Sequence, residues 1–346
     1  MNIKLKIETT ILALFLATAL FAQSSSVKLI KDPKSNKIDV RIDNQLFTSF
    51  LYPDSIEKPF LYPVYAANQV DVTRGFPLNP KPGDPTDHPH HIGIWFNFEN
   101  VNGLDFWNNS YAIPKEKKNQ YGWIKTDQIL ETTSGAKGIL VYHANWTNQA
   151  NETLLEENTR LEFSKAGNNR IIDRYTTLKA KITTTFTDAK DGMLGIRLAH
   201  QLQIATTQDQ KFTDLKGNVT TVKGGNDKIP TGNYLTSEGK AGDNVWSTRA
   251  AWCMAYGKMG NDTVSIAIID HPKNINYPTF WHARGYGLFA ANPLGEKIFT
   301  QGKSAKNLKL NPGQSVTFKY RIVVAAGVQP LSAIQLNKLT EAFGKK

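Results

Sequence analysis

Apolar and polar positions alternate with period two along most of the patterned stretches of this chain. Lys37-Ile38-Asp39-Val40-Arg41-Ile42-Asp43 reads as a half-buried strand, and Gly138 to Trp146 repeats the pattern after a Ser-Gly turn. Arg160 to Phe163 and Arg170 to Asp173 flank Gly167-Asn168-Asn169, a hairpin signal. Lys179 to Thr187 is dense in β-branched residues, and Ser315 to Arg321 alternates again. Strands of this kind between Gly, Asn, Asp and Pro turns predict an all-β fold, a sandwich or barrel. Near the end, Pro330 followed by Leu331, Ile334, Leu339 and Phe343 predicts a short helix closed at Gly344, packed on the outside of the sandwich. Gly217 to Gly242, rich in Gly, Asn, Thr and Lys, reads as a long loop over one end.

The N-terminus departs from this pattern. Lys4 and Lys6 precede an apolar run from Ile11 to Phe21, which matches a secretory leader cleaved near Ala22. The run is shorter than the ~20 residues of a membrane span, and no later segment is apolar enough to cross. The expectation is a leader over residues 1–22 and one exported domain, periplasmic or secreted, over 23–346. The sole cysteine, Cys253, excludes an internal disulfide and lies in the apolar stretch Ala250 to Met254, where packing is its expected role. A formal charge of +11 is spread thinly, with Glu116 inside the densest basic run, Lys115 to Lys118, so a nucleic-acid partner is not expected.

Chemistry concentrates in two segments. Asp87-His88-Pro89-His90-His91 holds three of the seven histidines, and Asp270-His271-Pro272 with Trp281-His282-Ala283-Arg284 follows far downstream. Histidine titrates near neutrality and is also the commonest metal ligand. Pro89 disfavours helix at His88; in an extended segment His88 and His90 share one face and His91 takes the other. Further along, Ile94, Phe96 and Phe98 fall on one face. Trp95, Asn97 and Glu99 fall on the other and form an expected site wall. His88, His90, His271 and His282 are the candidate acid–base residues. Arg74, His91, Trp95, Asn97, Glu99, Trp281 and Arg284 are the candidate substrate-binding residues, with guanidinium forks for carboxylates or vicinal hydroxyls and indoles for stacking on a sugar face. His88 and His90 are also the candidate ligands of a divalent metal, although His-Glu-x-x-His is absent and His-x-His alone is a weak pattern. No cofactor is required by the sequence. An acid–base site, a metal site and a hydrogen-bonded loop all remain open.

Several motifs together resemble one family. They are Thr73-Arg74 with Phe76-Pro77, Asp87 to His91 with Gly93 and Trp95-Phe96, Val101-Asn102-Gly103 with Asp105-Phe106-Trp107, Val245-Trp246 with Arg249-Ala250 and Trp252, Asp270-His271-Pro272, Pro278-Thr279 with Trp281-His282, Arg284 and Tyr286-Gly287, and Asn292-Pro293. These resemble the exported bacterial proteins labelled PmoA family, or methane oxygenase PmoA, over most of the chain. Two positions depart from that pattern: Ile92 stands where an arginine is expected, and Ser247 where a glycine is expected. The resemblance implies a large antiparallel β-sandwich like that of galactose mutarotases, whose sugar sites use histidines, an arginine and a carboxylate on a sheet face. It does not carry methane chemistry, since a membrane-embedded oxygenase subunit needs several spans. The leading expectation is therefore a carbohydrate-active enzyme of epimerase, lyase or hydrolase type. A metal-dependent enzyme and a glycan-binding module are the alternatives.

Overall fold

The computed structural model describes residues 26–32, 34–214, 216–225 and 228–346, so the leader expected over residues 1–22 lies outside the described residues. Two eight-stranded antiparallel sheets share one apolar core. In spatial order, the first sheet runs Val27–Asp32, Lys37–Ile42, Gln45–Leu51, Phe60–Val64, Ile94–Phe98, Gly192–Arg197, Leu288–Asn292 and Phe280–Ala283. The second runs Asn233–Thr236, Trp252–Met259, Asp262–Asp270, Ser315–Gly327, Asn169–Ala180, Thr153–Ala166, Gly138–Thr147 and Trp123–Thr133. The fold is thus the all-β antiparallel sandwich expected from the alternation, with a C-terminal helix. Among the described residues no helix is long and apolar enough to cross a membrane.

The period of two decides which face each residue serves. In the first sheet Leu61, Ile94, Phe96, Trp281, Ala283, Phe289 and Ala291 point into the shared core. Their neighbours Phe60, Tyr62, Trp95, Leu288 and Ala290 form a second apolar cluster with Trp107 and Tyr286. That cluster lies on the outward face of the first sheet, beneath the loops that cover it. The outward face of the second sheet is covered instead by the helix Ala333–Gly344, whose Leu336 and Phe343 pack on Trp252, Ile269 and Val323. Ser332 caps this helix with a capping box to Gln335. Cys253 is buried in the shared core.

Four expectations are corrected. Ile334 is 69% exposed, so the buried stripe runs through Leu336 instead. The stretch from Lys179 to Thr187 is not one strand: Asn169–Ala180 ends there, and Thr184–Phe186 pairs separately with Leu308–Leu310. Gly217 to Gly242 is not a bare loop, because it supplies one strand of the hairpin Gln210–Thr213/Val219–Val222 and the edge strand Asn233–Thr236. His88 to His91 is not extended; His88 has a φ of +44° and the His91 N–H donates to its carbonyl at 3.0 Å, closing a turn.

Candidate active site

The turn changes which histidines meet. His88 and His91 lie parallel, with ring centres 4.7 Å apart, while His90 stands edge-on to both. Tyr286 continues the stack beyond His88 at 5.0 Å, and Trp95 continues it beyond His91 at 5.2 Å. Four rings therefore run from the cavity wall down to the sheet. Arg74 fixes the turn from below by donating to the carbonyls of Asp87, His88 and His91.

Asp87 is the electrostatic centre of this layer. Its carboxylate lies 2.6 Å from His88 Nδ1 and accepts from Arg197 Nη2 on both oxygens, at 2.9 and 2.7 Å. Burial alone would push its carboxyl up, but Arg197, the His88 hydrogen bond and Arg74 hold it far below the usual carboxylate range. An ionised Asp87 places the His88 proton on Nδ1 and leaves Nε2 as the free acceptor. Because Tyr286 and His91 cover both ring faces, the Nε2 edge is the one left for the cavity. Burial lowers the His88 pKa, against the pull of Asp87, so the ring is predominantly neutral near pH 7.

His282 forms the second carboxylate-backed imidazole. It alternates with Trp281 and Ala283 and so projects outward from the sheet. Its Nδ1 lies 3.2 Å from the Asp191 carboxylate, an ion-pair distance. Burial raises the Asp191 carboxyl, yet Lys190 and His282 outweigh it and keep it below its ordinary value. Burial pushes the His282 pKa down against the opposing pull of Asp191.

Both imidazoles line one cavity of about 430 Å³, together with His90, His91, Arg284, Tyr286 and Trp246. Phe212 and Thr220 from the hairpin, Asn108 and Ser110, and Lys190, Asp191 and Asp214 complete the polar and aromatic walls. His91 contributes shape rather than a free nitrogen: the Trp107 indole donates to its Nε2 at 3.3 Å, and its Nδ1 lies 3.2 Å from Arg197. His90 keeps a buried Nε2 without a hydrogen-bond partner, and burial holds its pKa well down. Its carbonyl accepts from Lys58 Nζ at 2.8 Å, a buried amine whose pKa burial pushes down to about 8 against Glu57 and Asp105.

Of the residues expected from the sequence, His88, His90, His91, His282 and Arg284 come together at this cavity. The others do not line it. His271 sits beneath the C-terminal helix, its ring 5.0 Å from Phe343 and its Nδ1 accepting from the Lys273 N–H. The second Asp-His-Pro therefore does not repeat the first; Asp270 binds Asn274 and the Thr279 N–H instead. Arg74 is a brace under the turn rather than a substrate contact. Trp281 lies in the inter-sheet core and donates to the Ala250 carbonyl. Trp95 is fully buried beneath His91, Asn97 donates to the Phe106 carbonyl, and Glu99 accepts from the Asp191 N–H. The expected wall is the floor under the site, because the loops around Trp107 cover that face. Ile92, which replaces the expected arginine, packs in the same outward apolar cluster.

Asp191, Arg197, Phe212, Tyr286 and Trp246 complete the site, and sequence reasoning did not single them out for it. Trp246, at 36% exposure, lies beside no histidine in the sequence and reaches the cavity only through the fold. Tyr286 carried a usable signal, since it stands four residues after His282 in the same motif.

The family model described as "Family of unknown function (DUF6807)" matches residues 37–341. The chain belongs to that family. No curated protein matches it. A galactose mutarotase-like protein from Clostridium acetobutylicum is 10% identical, with 88% of this chain and 98% of that one covered and a TM-score of 0.40. A GH36 α-galactosidase from Geobacillus stearothermophilus is 10% identical, with 87% and 41% covered and a TM-score of 0.37. The α-galactosidase from Lactobacillus brevis is 8% identical, with 87% and 39% covered and a TM-score of 0.36. The chain spans about two fifths of the length of these α-galactosidases.

Proposed function

We propose that the cavity is the active site of an exported carbohydrate-active enzyme that moves protons on a sugar ring. One observation carries this reading: two imidazoles from distant segments, each backed by a carboxylate, line the same cavity of about 430 Å³. Proton transfer needs one group that accepts and another that donates, each tuned by its surroundings. His88, with Nε2 free and Nδ1–H held by Asp87, is the base. His282, which Asp191 pulls toward its charged form although burial lowers its pKa overall, is the second group, and it donates once it has gained a proton. Trp246, Phe212 and Tyr286 offer apolar surface to ring carbons, while Asn108 and Ser110 offer partners for hydroxyls.

The likeness of the motifs to the PmoA family brings with it the alternative of a metal-dependent oxygenase. Its donor set does not fit: among the described residues no group of three or more His, Cys, Asp or Glu side chains is placed to hold a metal ion.

The test is proton NMR in D2O with a panel of neutral and acidic sugars. Replacing His88 or His282 with Ala should slow exchange at the reacting ring carbon by about 10²–10⁴-fold, the usual range for losing a general acid or base. Full exchange by both folded variants would overturn the assignment.

A further inference from the structure

Every arginine but one is committed within the protein. Arg41, Arg74, Arg160, Arg170, Arg174, Arg197, Arg249 and Arg321 each donate at least one hydrogen bond. Arg284 lines the cavity, and among the described residues its guanidinium has neither a hydrogen bond nor an ion pair. Two rings hold it: its Cζ lies 5.0 Å from the Phe212 ring centre and 5.4 Å from that of Trp246. Aromatic faces orient a guanidinium without using its N–H donors. The fork is thus fixed in direction and free for a ligand. It sits two residues from His282, close enough for its charge to lower that imidazole's pKa.

The acidic groups of the cavity are already satisfied. Asp214 accepts from the Lys216 N–H and from both the backbone and side-chain nitrogens of Asn218. Asp191 pairs with His282 and Lys190. The unmet demand in the cavity is therefore for an anion with two coplanar oxygens, placed beside the proton-transfer pair.

We infer that the substrate is a sugar acid of uronate type, with Arg284 clamping its carboxylate; this rests on the proton-transfer reading above. The clamp also chooses the reacting carbon. A C–H next to a carboxylate is acidic enough to remove only when the charge that flows into the carboxylate is neutralised. His88 Nε2 takes the proton from C5, and the C–H electron pair moves into the carboxylate to form an enediolate facing Arg284. A proton returned to C5, from His88 on the same face or from protonated His282 on the other, restores the carboxylate with retained or inverted configuration. Nothing is oxidised or reduced.

Isothermal titration of the mature protein with glucuronate and galacturonate, against glucose and galactose, tests the clamp, and NMR in D2O follows H5. Uronates should bind about tenfold or more tightly than their neutral counterparts, as expected for a charge-assisted bidentate pair. Arg284→Gln should erase that preference, while Arg284→Lys keeps part of it; a thermal melt checks that both variants fold. Neutral sugars binding as well as uronates, or an Arg284→Gln variant that weakens both classes equally, overturns the carboxylate assignment and leaves the proton-transfer site standing. Preferential binding of galactose 6-sulfate through Arg284 assigns the fork to sulfate and overturns it too. If no sugar of either class binds, both readings fall.

Discussion

Asp87 shows how much one side chain can hold in place. It is nearly enclosed by Arg74, Arg197 and His88, and it is the anion that makes two buried guanidiniums tolerable in one layer. Asp87→Asn keeps the size but removes that charge and points an amide donor at donors. Leaving buried charge uncompensated costs about 3–5 kcal/mol, so urea denaturation should show a loss of that order. A loss below about 1 kcal/mol would mean that the layer does not depend on this anion. The pairing of Asp87 with His88 was open to inspection because the residues are adjacent. That of Arg197 with Asp87 was not, since 110 positions separate them and only sheet pairing joins them. Ser247 teaches a related lesson. It takes the place of an expected glycine at a φ of +65°, where glycine is free and serine is strained, and its hydroxyl donates to the Phe299 carbonyl at 2.8 Å.

At the scale of elements, alternation located the strands and failed at the turn. Lys37–Ile42, Gly138–Thr147 and Ser315–Gly327 form where the period of two placed them. The His88 turn broke the same rule because its backbone follows Arg74 and the Asp87 cluster rather than a sheet partner. The strand beside it is constrained by packing. A Cβ on Gly195 would come within 2.5 Å of the Trp95 ring and 2.8 Å of the Trp107 ring. Gly195→Ala should therefore destabilise the protein by about 1–3 kcal/mol, typical of forced overpacking, and disturb the near-ultraviolet dichroism of the tryptophans beneath His91. An unchanged melt and spectrum would show that this floor is loose.

Across the whole molecule, buried titrating groups set the dependence of stability on pH. Burial lowers His88, His90, His91, His271 and His282 below the usual 6.5, with His271 at about 4. Below pH 6.5 the unfolded chain binds protons that the folded rings refuse, so stability present above 6.5 is lost as the pH falls. Asp105 and Asp270 act in the opposite sense. Burial raises both to about 7 from 3.8, so the stability they add at low pH is lost as the pH rises through that interval. Five histidines outnumber two carboxyls in the shared window. Urea unfolding should thus give a lower free energy at pH 5 than at pH 7; greater stability at pH 5 would show that the carboxyls dominate.

The sequence by itself determined the β-sandwich, its C-terminal helix and the gathering of three histidines in one short segment. Each of these follows from short-range pattern: a period of two, an apolar stripe, or neighbouring side chains with one chemistry. The tertiary structure alone decided which residues share the cavity. Trp281 and His282 are adjacent, yet one faces the core and the other the site, because successive strand residues point to opposite faces. The two Asp-His-Pro segments share a spelling, but the first forms a turn over the first sheet while the second ends the strand Asp262–Asp270 of the second sheet, so only the first meets His282. Asp191, Arg197 and Tyr286 join the site through strand order and loop closure, which no local spacing encodes.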